Sequence, residues 1–264
     1  MLTAVKNQMK VTLLNIKYSI MREMLNKVTF ISNVVFMMLN NASMIIQWII
    51  IFGVKNDVGN YSLKQIILLW GITSGCFGVA HFFFKNAFNL SEIINSGQLD
   101  NALCQPKNVL LSVITTDIRV SALGDLLYAY VMFFIYGFSI KGFLLFTLLI
   151  ITGGLINTAF VVILGSLSFW FGRTEAIVDT SQTVMVMMGT YPDGIYSGVI
   201  KILLYTIVPL GIVAFIPVNI MTLFNPLLLG CIIVYTILII AFAFFIFNAG
   251  LKKYSSSNLM NARI

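Results

Sequence analysis

Asp125, Asp179 and Thr183 are the residues of this sequence best placed to do chemistry inside a membrane. Each is polar, and each stands within a stretch that is otherwise largely apolar. A charge at membrane depth is expensive, so a carboxylate there faces a cavity or a partner rather than lipid. Asp179 lies four residues from both Glu175 and Thr183, which puts the three on one helix face. Tyr191 closes the same segment, and we take Asp125, Asp179, Thr183 and Tyr191 as candidates for a polar pathway. Asp117, Arg119 and Glu175 stand nearer the ends of apolar stretches, at the headgroup level where a charge costs little. His81 is the only histidine, and Ala80-His81-Phe82-Phe83-Phe84 reads as an interfacial histidine among aromatic anchors. A zinc protease or histidine-dependent triad has no residues to use, and no G-x-x-x-x-G-K-[ST] phosphate loop occurs. Cys76, Cys104 and Cys231 show no paired spacing, so neither a disulfide framework nor a zinc site is indicated. We expect no catalytic residue, cofactor or metal in this chain.

Such residues need an apolar scaffold, and the composition supplies one. The chain has 264 residues, 59% hydrophobic and 9% charged, whereas soluble domains carry about a quarter charged residues. A soluble enzyme, a disordered chain and a nucleic-acid binder are thereby excluded. The net charge of +7 reports topology first, as basic residues do in membrane proteins. Outer-membrane strands of ~10 alternating residues are absent.

No Asp, Glu, Lys or Arg occurs between Lys27 and Lys55, Lys64 and Lys85, Lys141 and Arg173, or Lys201 and Lys252. A hydrocarbon core of ~30 Å needs about 20 helical residues, and the spans read as Val28–Val54, Gln65–Phe84, Val113–Phe138, Phe143–Phe171 and Asn225–Gly250. The more polar Glu175–Tyr191 supplies a sixth. Residues 199–222 are apolar but interrupted by Pro209 and Pro217, which predicts a re-entrant pair of short helices before the last span. A second layout makes Val199–Ile220 the fifth crossing instead. With six crossings the inner side collects Lys85, Lys107, Arg119, Arg173, Lys252, Lys253, Arg263 and the basic residues of the N-terminus. The outer side keeps Lys55, Lys64, Lys141 and Lys201. That bias places both termini in the cytoplasm. No cleavable signal peptide is read, because the first apolar run is too long for one. Within residues 1–27, Leu2, Val5, Met9, Leu13, Ile16, Ile20 and Met24 recur at helical spacing while Lys6, Lys10 and Lys17 take another face. This is a basic amphipathic helix suited to the inner membrane surface and its anionic lipids. Gly71-Ile72-Thr73-Ser74-Gly75 has the small-xxx-small spacing of closely packed membrane helices. The whole chain, 1–264, reads as one transmembrane domain without repeats or linkers.

The longest inner loop, 85–112, contains Glu92, Gly97, Leu99, Asp100, Leu103 and Pro106 as E-x4-G-x-L-D-x2-L-x2-P. It reads as a short helix broken at Ser96-Gly97, a second turn carrying Leu99 and Leu103 on one face, and a stop at Pro106. Tyr191-Pro192-Asp193-Gly194-Ile195-Tyr196 follows later, then the prolines of Val208-Pro209 and Ile216-Pro217. In this order and against these spans, the motifs resemble the membrane subunit of an ATP-binding cassette transporter of the ABC-2 type. The resemblance covers nearly the whole chain. One departure is Cys104-Gln105 before Pro106, where relatives often carry a basic residue.

The resemblance implies an all-α domain of six transmembrane helices, with an N-terminal amphipathic helix and a re-entrant helical pair. It implies a multi-pass protein of the bacterial inner membrane that works with two copies of a separate ATP-binding subunit, which bind ATP and Mg. A second permease chain, identical or paralogous, completes the pathway. Glu92, Gly97, Leu99, Asp100, Leu103 and Pro106 would couple to the ATP-binding subunit, and the cargo would be a small amphipathic, toxic or antibiotic-like compound that is exported. The competing readings are a secondary carrier that uses Asp125 or Asp179 as an ion site, and a non-transport membrane scaffold. Carriers commonly show two related halves, which are not visible here.

Overall fold

A computed structural model describes residues 2–105 and 107–255, the side chains of residues 2–6, 8, 9 and 23 excepted. Pro106 and Arg263 therefore lie outside the described residues, as do the side chains of Leu2, Val5, Lys6 and Met9. The chain is helical: α1 Leu2–Glu23, α2 Lys27–Phe52, α3 Leu63–Phe83, α4 Lys85–Phe88, α5 Leu90–Asn95, α6 Asp100–Leu103 and α7 Val109–Ile114. Then come α8 Ala122–Tyr136, α9 Ile140–Ser166, α10 Ser168–Phe171, α11 Glu175–Gly189, α12 Gly198–Thr206, α13 Ile216–Thr222 and α14 Pro226–Leu251.

Polar side chains start the long helices where the sequence turns apolar. Asn26 Oδ1 accepts from the Thr29 amide before α2, at 3.2 Å, and Ser139 Oγ accepts from the Gly142 amide before α9, at 3.0 Å. Asn225 Oδ1 does the same for Leu227, with Pro226 opening α14. Among the described residues four segments are long and apolar enough to cross a membrane: Lys27–Phe52, Leu63–Phe83, Ile140–Phe171 and Pro226–Leu251. Helices α3 and α9 form the centre and are buried on most sides, which explains why neither shows an amphipathic stripe. Helix α8 packs on α3, α2 packs on α8, and α14 lies along α9. Small residues let the central helices meet. A Cβ added at Gly75 would lie 2.7 Å from Ile150, and one at Gly154 would lie 2.6 Å from Val79. The Gly71–Gly75 pair thus serves packing of α3 against both α8 and α9.

Two expected spans look different in the structure. Val113–Phe138 is not one helix: Val113 and Ile114 end α7, residues 115–121 are irregular, and α8 starts at Ala122. The break lets Asp117 leave the apolar layer and take Lys85 Nζ at 2.6 Å and Arg22 at 2.7 Å. An uninterrupted helix would have carried that charge without either partner. Helices α8 and α11 have 15 residues each. At ~1.5 Å per residue they reach about 22 Å, short of a full hydrocarbon core. The second difference concerns the proline-rich segment. Gly198–Thr206 and Gly211–Thr222 meet at a bend of 78°. The bend falls beside Pro209, whereas Pro217 continues a helix that begins as a wide turn at Gly211–Phe215. Pro217 therefore does not make the bend.

Helix α1 is docked rather than loose. Ile16 and Ile20 pack on Phe82, Ile118, Val120 and Ala122, while Leu13, Tyr18 and Met21 are exposed. The Thr12 and Thr115 hydroxyls lie 3.4 Å apart, and Arg22 reaches Asp117.

Candidate functional site

Beside α3 lies a cavity of about 250 Å³ between α2, α3, α8 and α11. Its wall on α3 is a single stripe, Trp70, Thr73, Ser74, Phe77 and His81, at the i, i+3, i+4, i+7, i+11 positions of one helix face. Helix α8 contributes Asp125, α2 contributes Asn41, and α11 contributes Gln182 and Val186. Asp125 is only 6% exposed. Asn41 Nδ2 donates to its Oδ1 at 2.6 Å, and Ser74 Oγ donates to its backbone carbonyl at 2.9 Å. Asp125 thus fastens α2 through its carboxylate and α3 through its backbone carbonyl to the start of α8.

A second cavity of about 530 Å³ shares His81, Arg119 and Gln182 with the first and adds Lys85, Asp179 and Thr183. The two spaces meet at these shared residues. His81 is held there by its Nδ1–H, which donates to the Phe77 carbonyl at 3.1 Å, and by stacking on Phe88 at 4.0 Å. The Arg119 amide donates to the His81 carbonyl at 3.3 Å, which fixes the irregular 115–121 segment to the end of α3. At the rim, burial raises the Asp117 pKa, but the hydrogen bonds from Lys85 and Arg22 outweigh it and hold the carboxyl below its ordinary range.

Of the expected pathway residues, Asp125 lines the inner cavity, and Asp179 and Thr183 line the outer one. Tyr191 lines neither; it is exposed and meets Trp48 edge-on at 5.7 Å. His81, expected as an interfacial anchor, instead borders both cavities. Asn41 and Gln182 were not singled out by sequence, because an amide in an apolar run carries no charge to mark it. The α3 stripe is a signal that could have found Trp70, Ser74, Phe77 and His81 together.

The loop residues separate into two groups. Glu92 and Leu103 are exposed. Leu99 is fully buried in this chain's own core with Ile94, Leu110 and Phe247, so it does not share a free face with Leu103. Asp100 accepts a hydrogen bond from Tyr254 Oη at 2.9 Å, beyond the end of α14. Burial and that carboxylate push the Tyr254 phenol up to about 12. Gly97 takes φ +77°, a conformation a side chain would strain, and closes α5. Pro106 is outside the described residues.

A buried hydroxyl cluster joins this loop to the helices. Ser168 Oγ donates to Ser91 Oγ at 2.7 Å and lies 2.7 Å from Thr174 Oγ1, while the Thr174 amide donates to Ser91 Oγ at 3.0 Å. All three are buried. They tie α5 to α10 and to the residue before α11. Ser91 and Ser168 are 77 positions apart, so no local pattern announces them. Among the described residues no group of three or more His, Cys, Asp or Glu is placed to hold a metal ion.

A model of the ABC-2 family transporter proteins matches residues 36–258. No curated protein and no solved structure matches the chain.

Proposed function

The chain belongs to the ABC-2 transporter family, and from that premise we propose that it forms the translocation pathway of an ATP-driven exporter. It is a multi-pass membrane protein of an ABC transporter and works with ATP-binding cassette subunits. In our reading two such subunits bind ATP and Mg, a second permease chain completes the pathway, and the cargo is a small amphipathic compound. We place the protein in a bacterial inner membrane with both termini cytoplasmic. The short α8 and α11 serve as crossings within a six-span domain, and the bent pair around Pro209 is re-entrant.

The observation that carries this reading is the hydroxyl cluster Ser91–Ser168–Thr174. A permease responds to ATP only through contacts with the subunit that hydrolyses it, and a stiff link must carry that movement to the pathway. Here the 85–112 loop is hydrogen-bonded at the root of α11, and α11 carries Gln182 and Thr183 into the cavities. Of the expected coupling residues that are described, Glu92 and Leu103 are exposed and left to touch the partner, with Gly97 setting the turn. Asp100 is spent on Tyr254, and Leu99 on the core.

The test uses the purified complex. Replacing Glu92 and Leu103 together by Ala should leave the folded permease intact and lower substrate-stimulated ATP hydrolysis about tenfold, or release the ATP-binding subunit. Normal assembly with normal stimulated hydrolysis would overturn the reading. Leu99→Ala is unsuitable for this purpose, because loss of a buried leucine destabilises the fold itself by about 2–5 kcal/mol.

A further inference from the structure

The inner cavity is lined by two opposite charges, Asp125 and Arg119, that make no direct ion pair with each other. Asp125 is 6% exposed, with one oxygen bonded to Asn41 and no partner for the other among the described residues. A buried carboxylate with spare acceptor capacity calls for a cation or a strong donor. Arg119, itself exposed, borders the same space, and its guanidinium makes no ion pair among the described residues. Its planar set of donors has the shape that grips a carboxylate. Lys85, the other cation at the junction, is already taken by Asp117. Asp179 borders only the outer cavity and is exposed to solvent.

The same lining includes the apolar and aromatic Met37, Trp70, Phe77 and Val186 beside uncharged polar side chains. Trp70 on this wall is 6% exposed. The volume of about 250 Å³ suits a body smaller than most drug-sized ligands.

We propose that this cavity takes a small zwitterionic amphiphile, of which a free apolar dipeptide is the simplest form, with its carboxylate on Arg119 and its ammonium on Asp125. Such a ligand enters the apolar layer with no net charge, and each end meets an opposite charge that has no ion-pair partner among the described residues. The proposal deepens the permease reading and rests on it for the cavity's being a transport site.

Calorimetry on the full chain in phosphatidylcholine nanodiscs tests this with three probes of one body, small enough for the cavity: alanyl-valine, its N-acetyl form and its C-terminal amide. The free dipeptide should bind at least tenfold tighter than either capped form. In Arg119→Gln its advantage over the amide should vanish, and in Asp125→Asn its advantage over the acetylated form should vanish. The unfolding midpoint of each variant shows whether it is folded; if one is not, the three probes on the unaltered chain still decide. Equal binding of all three probes, binding of one capped form as tight as the free dipeptide, or no binding at all overturns the proposal. Stimulated hydrolysis in the complete complex is measured separately. Selective binding without stimulation keeps the ligand class and sinks the permease reading. Stimulation by other compounds, with no selective dipeptide binding, does the reverse.

Discussion

Along α3, Gly71, Gly75, Cys76 and Val79 meet α8 and α9 with no space to spare, while Trp70, Thr73, Ser74, Phe77 and His81 on the same helix border open volume. The first set is held by fit. A Cβ at Gly78 would stand 2.8 Å from Leu126, and α9 answers with its own Gly153-Gly154 pair. In the second set, Ser74 and Thr73 take polar partners from neighbouring helices, the backbone carbonyls of Asp125 and Gly189. One helix thus fixes the scaffold on one face and presents chemistry on the other. The comparison teaches that small residues in this chain mark where it cannot move, and polar residues mark where it can be occupied.

The largest effect should follow from filling the close-packed face. Gly154→Val places side-chain atoms where Val79 and the Cys76 backbone already stand. We expect a loss of up to about 3 kcal/mol, read as a lower unfolding midpoint in detergent. A substitution that leaves the midpoint unchanged would show the seam to be looser than its geometry. On the cavity face, Asn41→Ala removes the one side-chain donor to Asp125. An acceptor stranded in a dry core costs about 1–3 kcal/mol, but here the cavity admits water, so the loss should sit near 1 kcal/mol. A loss as large as that of Gly154→Val would mean that this face is sealed.

The third prediction concerns the rim, where Asp117 holds Lys85 and Arg22. Its carboxyl has a folded pKa below the usual ~3.9, so the docking it supports is fully present above that value. Support is lost as pH falls through the depressed folded value. With Arg22 largely exposed, a pair of this kind contributes under about 1 kcal/mol. The amide protection factors of α1, taken relative to the intrinsic exchange rate at each pH, should therefore fall below pH 4 and stay level from pH 5 to 8. Asp117→Asn should abolish the difference, and an unchanged acid response in that variant would assign it to other groups.

These contrasts show what the sequence made legible. Runs free of charge placed α2, α9 and α14 to within a few residues, because a helix in lipid needs about 20 apolar residues whatever its neighbours are. The start of α8 was not legible. Residues 113–121 look apolar enough to continue a span, and what stops them is Asp117 meeting cations 32 and 95 positions away. Leu99 and Leu103 share a helical turn, as their spacing predicts. The core reaches only the first of them, and a four-residue helix has no face wide enough to say which. The carboxylate Asp125 announced itself as a charge in an apolar run. Its partners Asn41 and Ser74 come from other helices and carry no such mark.

The smallest expected effect is the sharpest test of the two faces. Trp70 and Trp48 are almost equally buried, at 6% and 5% exposed. Burial alone therefore predicts the same loss when either becomes Phe. Their surroundings differ. Trp48 is packed by Phe52 and, edge-on, by Tyr191, so shrinking its ring removes aromatic contacts. Trp70 borders the cavity, and its indole N–H has no hydrogen bond to lose. Removing that unpaired donor offsets part of the lost packing. The missing atoms also enlarge a space that already exists, where no packed contact is forfeited on that side. We expect Trp70→Phe to change stability by less than about 0.5 kcal/mol and Trp48→Phe by about 1–2 kcal/mol. Thermal unfolding of the two variants side by side measures the difference. Equal losses would mean that Trp70 stands in a packed core rather than at the edge of a site.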